Sequence, residues 1–148
     1  MSKILKIRAR QVFDSRGNPA IEAEVYTKNL SASAICPSGA STGTYEAFEK
    51  RDKNDKKYLG KGVLSAVNQV NTKISKKLSG TNIHDQTRID TILINLDGTR
   101  QKTNLGANAI LSVSMAAKKL SAKIKNVSLY KTFLVKNNYK LPYPLMNI

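Results

Sequence analysis

The spacing of the apolar residues changes once along this chain, from a period of two before Pro37 to spacings of three and four from Val63 onward. That change sets the fold class. Ile21, Ala23 and Val25 alternate with Glu22, Glu24 and Tyr26, and Ala32, Ala34 and Cys36 alternate with Ser31, Ser33 and Ile35. Each run is the pattern of a strand with one buried face. Residues 4–13 mix apolar and basic side chains as an extended segment does, and the turn formers from Asp14 to Pro19 force a reversal into the second strand. Three consecutive strands make an antiparallel meander, ended by Pro37, which lacks the donor that a ladder needs.

Val63, Ala66, Val67, Val70, Ile74 and Leu78 then share one helical face, with Lys73, Lys76 and Lys77 outward and Gly80 as terminator. Asp85 is placed to cap a second helix with a stripe of Ile89, Ile92, Leu93 and Leu96, stopped at Asp97-Gly98. A third helix is expected from about Ala107 to Lys125, carrying Ile110, Leu111, Ser114, Met115 and Leu120, with deep burial near its start and exposure near its Lys-rich end. Leu129 to Val135 is expected to add a turn or two. Strands followed by helices indicate an α+β domain with the helices on one face of the sheet.

At 148 residues the chain fits one domain, large enough to bury roughly 68–70% of its unfolded surface. The apolar share is 41% with no Trp, no run approaches a membrane span, and Lys and Arg break up the opening residues too often for a signal-peptide core. We therefore expect a cytoplasmic protein without membrane insertion. Cys36 is the only cysteine, which excludes an intrachain disulfide and reads as a small buried hydrophobe rather than a nucleophile. The net charge of +15 raises the question of a polyanionic partner. Nineteen of the 25 basic residues are Lys, spread along the chain, whereas base readers concentrate Arg forks and aromatic platforms. The pattern argues against nucleic acid and for a solvated basic surface.

Chemistry concentrates in one stretch. Pro37-Ser38-Gly39-Ala40-Ser41-Thr42-Gly43 follows a strand and precedes what reads as an acidic helix start at Glu46 and Glu49. Its glycines free the backbone, and its amides and hydroxyls can approach an anion or a metal-bound phosphate, although an ordinary flexible turn has the same composition. The Leu59-Gly60-Lys61-Gly62 run is too short for a P-loop and lacks its hydroxyl. One Cys and one His make no zinc site, and the ten carboxylates form no cluster dense enough to hold Mg²⁺. His84 beside Asp85 reads as a surface and capping pair rather than a catalytic one.

Several blocks are more specific. Val12-Phe13-Asp14-Ser15-Arg16-Gly17-Asn18-Pro19, the Pro37 to Gly43 stretch with Glu46-Ala47 and Arg51-Asp52, Tyr58-Leu59-Gly60-Lys61-Gly62-Val63, Leu96-Asp97-Gly98-Thr99, Leu105 to Leu111, and Leu141-Pro142 with Met146-Asn147-Ile148 follow one another along the chain. In order and approximate spacing they resemble the first third of an enolase. The resemblance implies a three-stranded sheet with a helical cap, a lid domain over residues 1–140, and at 141–148 a linker and first segment of an α/β barrel that is otherwise absent. It implies a part of the enzyme that dehydrates 2-phosphoglycerate to phosphoenolpyruvate, dependent on Mg²⁺, with the base, the acid and the first metal's carboxylates in the barrel. This part contributes no catalytic residue of its own and is expected to be inactive alone. Its share is the mobile loop Ser38, Gly39, Ala40, Ser41, Thr42 and Gly43, with Ser41 resembling a ligand of the second Mg²⁺. Arg10 and Glu22 correspond to positions that link to the barrel of a second subunit in a homodimer, against the equal alternative of a solvated strand face. Departures are mild: Lys50 replaces a usual apolar residue and Gln101 a usual Asn. The alternative to an enzyme part is an inactive relic or a basic chain that binds polyanions.

Overall fold

The computed structural model describes residues 2–39, 43–54, 56–133 and 143–145. Strands β1 (Lys6–Phe13), β2 (Pro19–Tyr26) and β3 (Ser31–Cys36) form one antiparallel sheet in the order β1-β2-β3. Ile7 faces Val25, Ala9 faces Ala23, and Ala23 faces Ala34, so these small and branched side chains share the covered face. The other face carries Lys6, Arg8 and Arg10 beside Tyr26, Glu24 and Glu22. Charge on that face is what keeps the register from slipping by one residue, since a slip would carry Glu22 and Glu24 into the core.

Helix α1 (Leu64–Gln69) runs without a break through a π-helical turn, Val70–Ile74, into α2 (Ser75–Leu78). The sequence supplies the reason for the wider turn. Ala66, Val70, Ile74 and Leu78, all buried, recur every four residues, and each such step overshoots an α-helical turn by about 40°. Three steps would walk the stripe a third of the way round the helix; a wider turn brings it back to the sheet. Helix α3 (Gln86–Asp97) begins at Asp85, whose side chain accepts the Arg88 amide, and ends at Gly98 in the left-handed region at φ +70°. Helix α4 (Ala107–Ile124) lies along β2 and β3.

The core sits between sheet and helices: Ile4, Ile7, Ile21, Val25, Val63, Val70, Ile74, Leu78, Ile89, Leu93 and Leu120 are all essentially inaccessible. Each such side chain contributes about 1.5–3 kcal/mol of transfer free energy. Helices on one face of a meander confirm the α+β reading.

Two expectations need correction. Burial in α4 does not fade toward its Lys-rich end: Ala116, Ala117, Leu120, Ser121 and Ala122 are all buried, because the whole helix rests on the sheet, while Leu111 and Met115 face outward. Glu46 and Glu49 do not start a helix. Residues 43–50 form a turn and then a segment without regular secondary structure, because their backbone groups are already engaged: the Phe48 amide donates to the Gln101 carbonyl, and the Ala107 amide to that of Phe48. The last turn is a 3₁₀ segment, Leu129–Phe133; Leu134 and Val135 lie outside the described residues.

Candidate functional site

The β1–β2 turn is the first wall of the site. Asp14 Oδ1 accepts the amides of Arg16 and Asn18, each at 2.9 Å, and Gly17 takes a φ of +76° that a side chain would resist. The Asn18 hydrogen bond, supported by the Arg16 amide and guanidinium, holds the Asp14 carboxyl below its ordinary range in spite of desolvation. So folded, the turn sends the Arg16 side chain across to the end of β3. There its guanidinium donates to the Ser38 carbonyl at 2.7 Å.

Ser38 is held a second time. Its hydroxyl donates to Glu49 Oε2 at 2.6 Å, and Glu49 Oε1 pairs with Arg51 at 2.7 Å. Arg51 in turn donates to the carbonyls of Pro19 and Lys61. One chain of polar contacts thus joins the hairpin turn, the end of β3, the segment at 49–51 and the Lys61 turn. On the far side of the loop, Gly43 and Glu46 close a small turn, the Gly43 amide donating to Glu46 Oε2 at 2.9 Å. The segment that follows is clamped to the start of α4. Asn108, buried, accepts the Lys50 amide and donates to the Lys50 carbonyl, as a neighbouring strand would.

Of the six loop residues singled out in the sequence, Ser38, Gly39 and Gly43 are placed at these two stems; Ala40, Ser41 and Thr42 lie outside the described residues. Arg10 and Glu22 are register partners on the open face of the sheet and pair with each other at 2.6 Å, Glu22 largely covered and Arg10 mostly exposed. His84 and Asp85 separate in role. Asp85 caps α3, while His84 Nδ1 sits 2.9 Å from the buried Ser121 hydroxyl, its pKa lowered by burial and then by Lys125 and the N-terminus. Cys36 is partly buried, and desolvation raises its thiol pKa, which disfavours the nucleophilic thiolate.

Among the described residues no three His, Cys, Asp or Glu side chains are grouped to hold a metal ion. The nearby carboxylates are spent on amides, hydroxyl and guanidinium, so the described residues do not fit a self-contained Mg²⁺ centre. No helix among them is long and apolar enough to cross a membrane.

Sequence reasoning quoted Arg16 and Arg51 in its blocks but missed what they do, and it gave Glu49 the wrong setting. The contacts join residues 22 and 32 positions apart, a separation that no local pattern encodes.

Comparison with known proteins bears on the same residues. The family model "Enolase, N-terminal domain" matches residues 4–133. The enolase of Pelagibacter ubique is 91% identical over 148 residues, covering all of this chain and 35% of that protein. The enolase of Methanococcus vannielii is 56% identical over 146 residues, and that of Methanosarcina mazei 52% over 146; 98% and 99% of this chain are covered, and 34% of each relative. The chain spans about a third of the length of these relatives. With the sheet, the helical cap and the match over 4–133 in agreement, the chain belongs to the enolase N-terminal domain family.

Proposed function

We propose that this chain is the flap-bearing domain of a phosphopyruvate hydratase, the cytoplasmic, Mg²⁺-dependent glycolytic lyase that reversibly dehydrates 2-phospho-D-glycerate to phosphoenolpyruvate. The observation that carries the reading is 91% identity over the whole chain to a protein named enolase. The anchored stems support it. A segment that closes over a ligand needs fixed ends, and Ser38 and Gly43 are tethered. Closure would exclude water from the reacting carboxylate and strengthen every charge interaction beneath it.

The division of labour is the one that the resemblance to enolase implies. The proton-abstracting base, the acid that assists loss of hydroxide and the first metal's carboxylates come from the barrel, and Ser41 contributes to the second Mg²⁺. Bound Mg²⁺ would supply positive charge to offset the negative charge that proton removal develops. Arg10 and Glu22 pair on the side of the sheet that the helices leave open, Arg10 exposed and Glu22 largely covered, and exchanging their mutual ion pair for partners on a second subunit would build the homodimer.

The test replaces the matching 148 residues of the Pelagibacter ubique enolase with this sequence and titrates Mg²⁺ during turnover. Ser41→Ala is expected to raise the Mg²⁺ requirement about 10- to 100-fold, the range seen when support for a metal is lost. Unchanged turnover and metal dependence in that variant would remove Ser41 from its assigned role.

A further inference from the structure

We propose that Glu49 is a positioning residue for Ser38, acting through the serine hydroxyl and not on substrate. The inference rests on the enolase reading above and adds a residue to it.

Ser38 is gripped at two of its polar atoms: its carbonyl by Arg16 at 2.7 Å and its hydroxyl by Glu49 at 2.6 Å. The second grip is aimed. Arg51 occupies Glu49 Oε1, and Arg51 is itself fixed by the carbonyls of Pro19 and Lys61, so the carboxylate is held with Oε2 toward the serine. A hydroxyl donating to a carboxylate is roughly twice as strong as a neutral pair, and here the acceptor's orientation is set before the bond forms. Pro37, immediately before, has its φ locked by its ring. The bonds from Arg51 to the Pro19 and Lys61 carbonyls already tie residues 49–51 to β2 and to the Lys61 turn; the Glu49 oxygen spent on a residue eleven positions earlier is not needed for that tie, and it is what assigns the positioning role.

The experiment uses the same full-length hybrid and a double-mutant cycle of Ser38→Ala and Glu49→Ala, read as kcat, as KM, and as hydrogen exchange at the Gly39 amide. Each single substitution is expected to lower kcat about 10- to 100-fold with KM held, the scale of a misplacement of about 1 Å. The double variant is expected to fall no lower than the worse single one, because both remove the same contact. Gly39 exchange is expected to speed up in both singles. Additive losses in kcat, or an unchanged kcat in Ser38→Ala, would overturn the proposal. Ser38→Ala keeps the Glu49–Arg51 pair, so it still decides the matter if Glu49→Ala fails to fold. An unsubstituted hybrid without turnover would fell the enolase reading instead, and the exchange measurement would then stand alone: unchanged Gly39 exchange in both variants contradicts the positioning role.

Discussion

Gly106 holds two segments together by what it lacks. A Cβ there would lie 2.5 Å from Lys50 Cβ and 2.6 Å from Asn108 Oδ1, and the backbone sits at φ +95°, so the clamp between residue 50 and α4 closes only over a glycine. Gly106→Ala is expected to cost about 2 kcal/mol or more in urea denaturation, since strain and a clash coincide. Asp97 works in the opposite way, by what it carries. Although 2% exposed, its carboxylate accepts the Leu105 amide at 2.8 Å, the Thr99 amide at 3.0 Å and the Thr99 hydroxyl. Burial alone would raise its pKa, but these bonds outweigh it and the net direction is down. Asp14, Glu24 and Asp52 are also lowered. A carboxyl held below its unfolded pKa adds stability above that value and loses it as the pH falls through the folded value. The melting temperature is therefore expected to be steady near neutrality and to drop as pH falls below the ordinary 3.8–4.5 range of these groups. A melting temperature unchanged down to strongly acid pH would contradict this.

Among the elements, the strands and the two long helices were legible because each is governed by a local period, by a cap such as Asp85, or by a stop such as Gly98. Asp85→Ala is accordingly expected to cost about 1 kcal/mol, measured by the same denaturation. What was not legible depended on distant partners. The acidic residues at 46 and 49 look like a helix start in isolation, yet their surroundings use the backbone at Phe48 and Lys50 elsewhere. The π-helical turn is written in the unbroken four-residue spacing of Ala66, Val70, Ile74 and Leu78, which reads as an ordinary helical face unless its accumulated drift is counted. That turn also protects a sheet edge. Asn71 accepts the Ala9 amide at 2.7 Å and donates to the Ala9 carbonyl at 3.1 Å, filling the place of a further strand, while Lys119 and Lys123 reach the Ser33 and Ser31 carbonyls of β3. Asn71→Ala is expected to lose about 1–2 kcal/mol, the net worth of two hydrogen bonds.

At the scale of the whole molecule, several large side chains stand exposed among the described residues. Leu59 is 84% exposed, and Phe13, Tyr45, Tyr58, Tyr130 and Phe133 are each about half exposed or more. By itself the chain is expected to self-associate as concentration rises, which sedimentation measures; a monomer with a sharp, concentration-independent melt would count against an uncovered face. Family membership was legible from the ordered blocks, and the loop stems only in part, because Ser38 and Gly39 declare themselves by composition whereas Arg16, Glu49 and Arg51 act by proximity. The central claim is that this domain shapes and covers a site whose proton chemistry is done by residues of the barrel. The measurement that tests it most directly is phosphoenolpyruvate formation from 2-phosphoglycerate in Mg²⁺, by the 148-residue chain alone and by the same chain joined to the barrel of the Pelagibacter ubique enolase. Turnover by the joined protein only is the result expected; turnover by the chain alone, or none by the joined protein, would contradict the account.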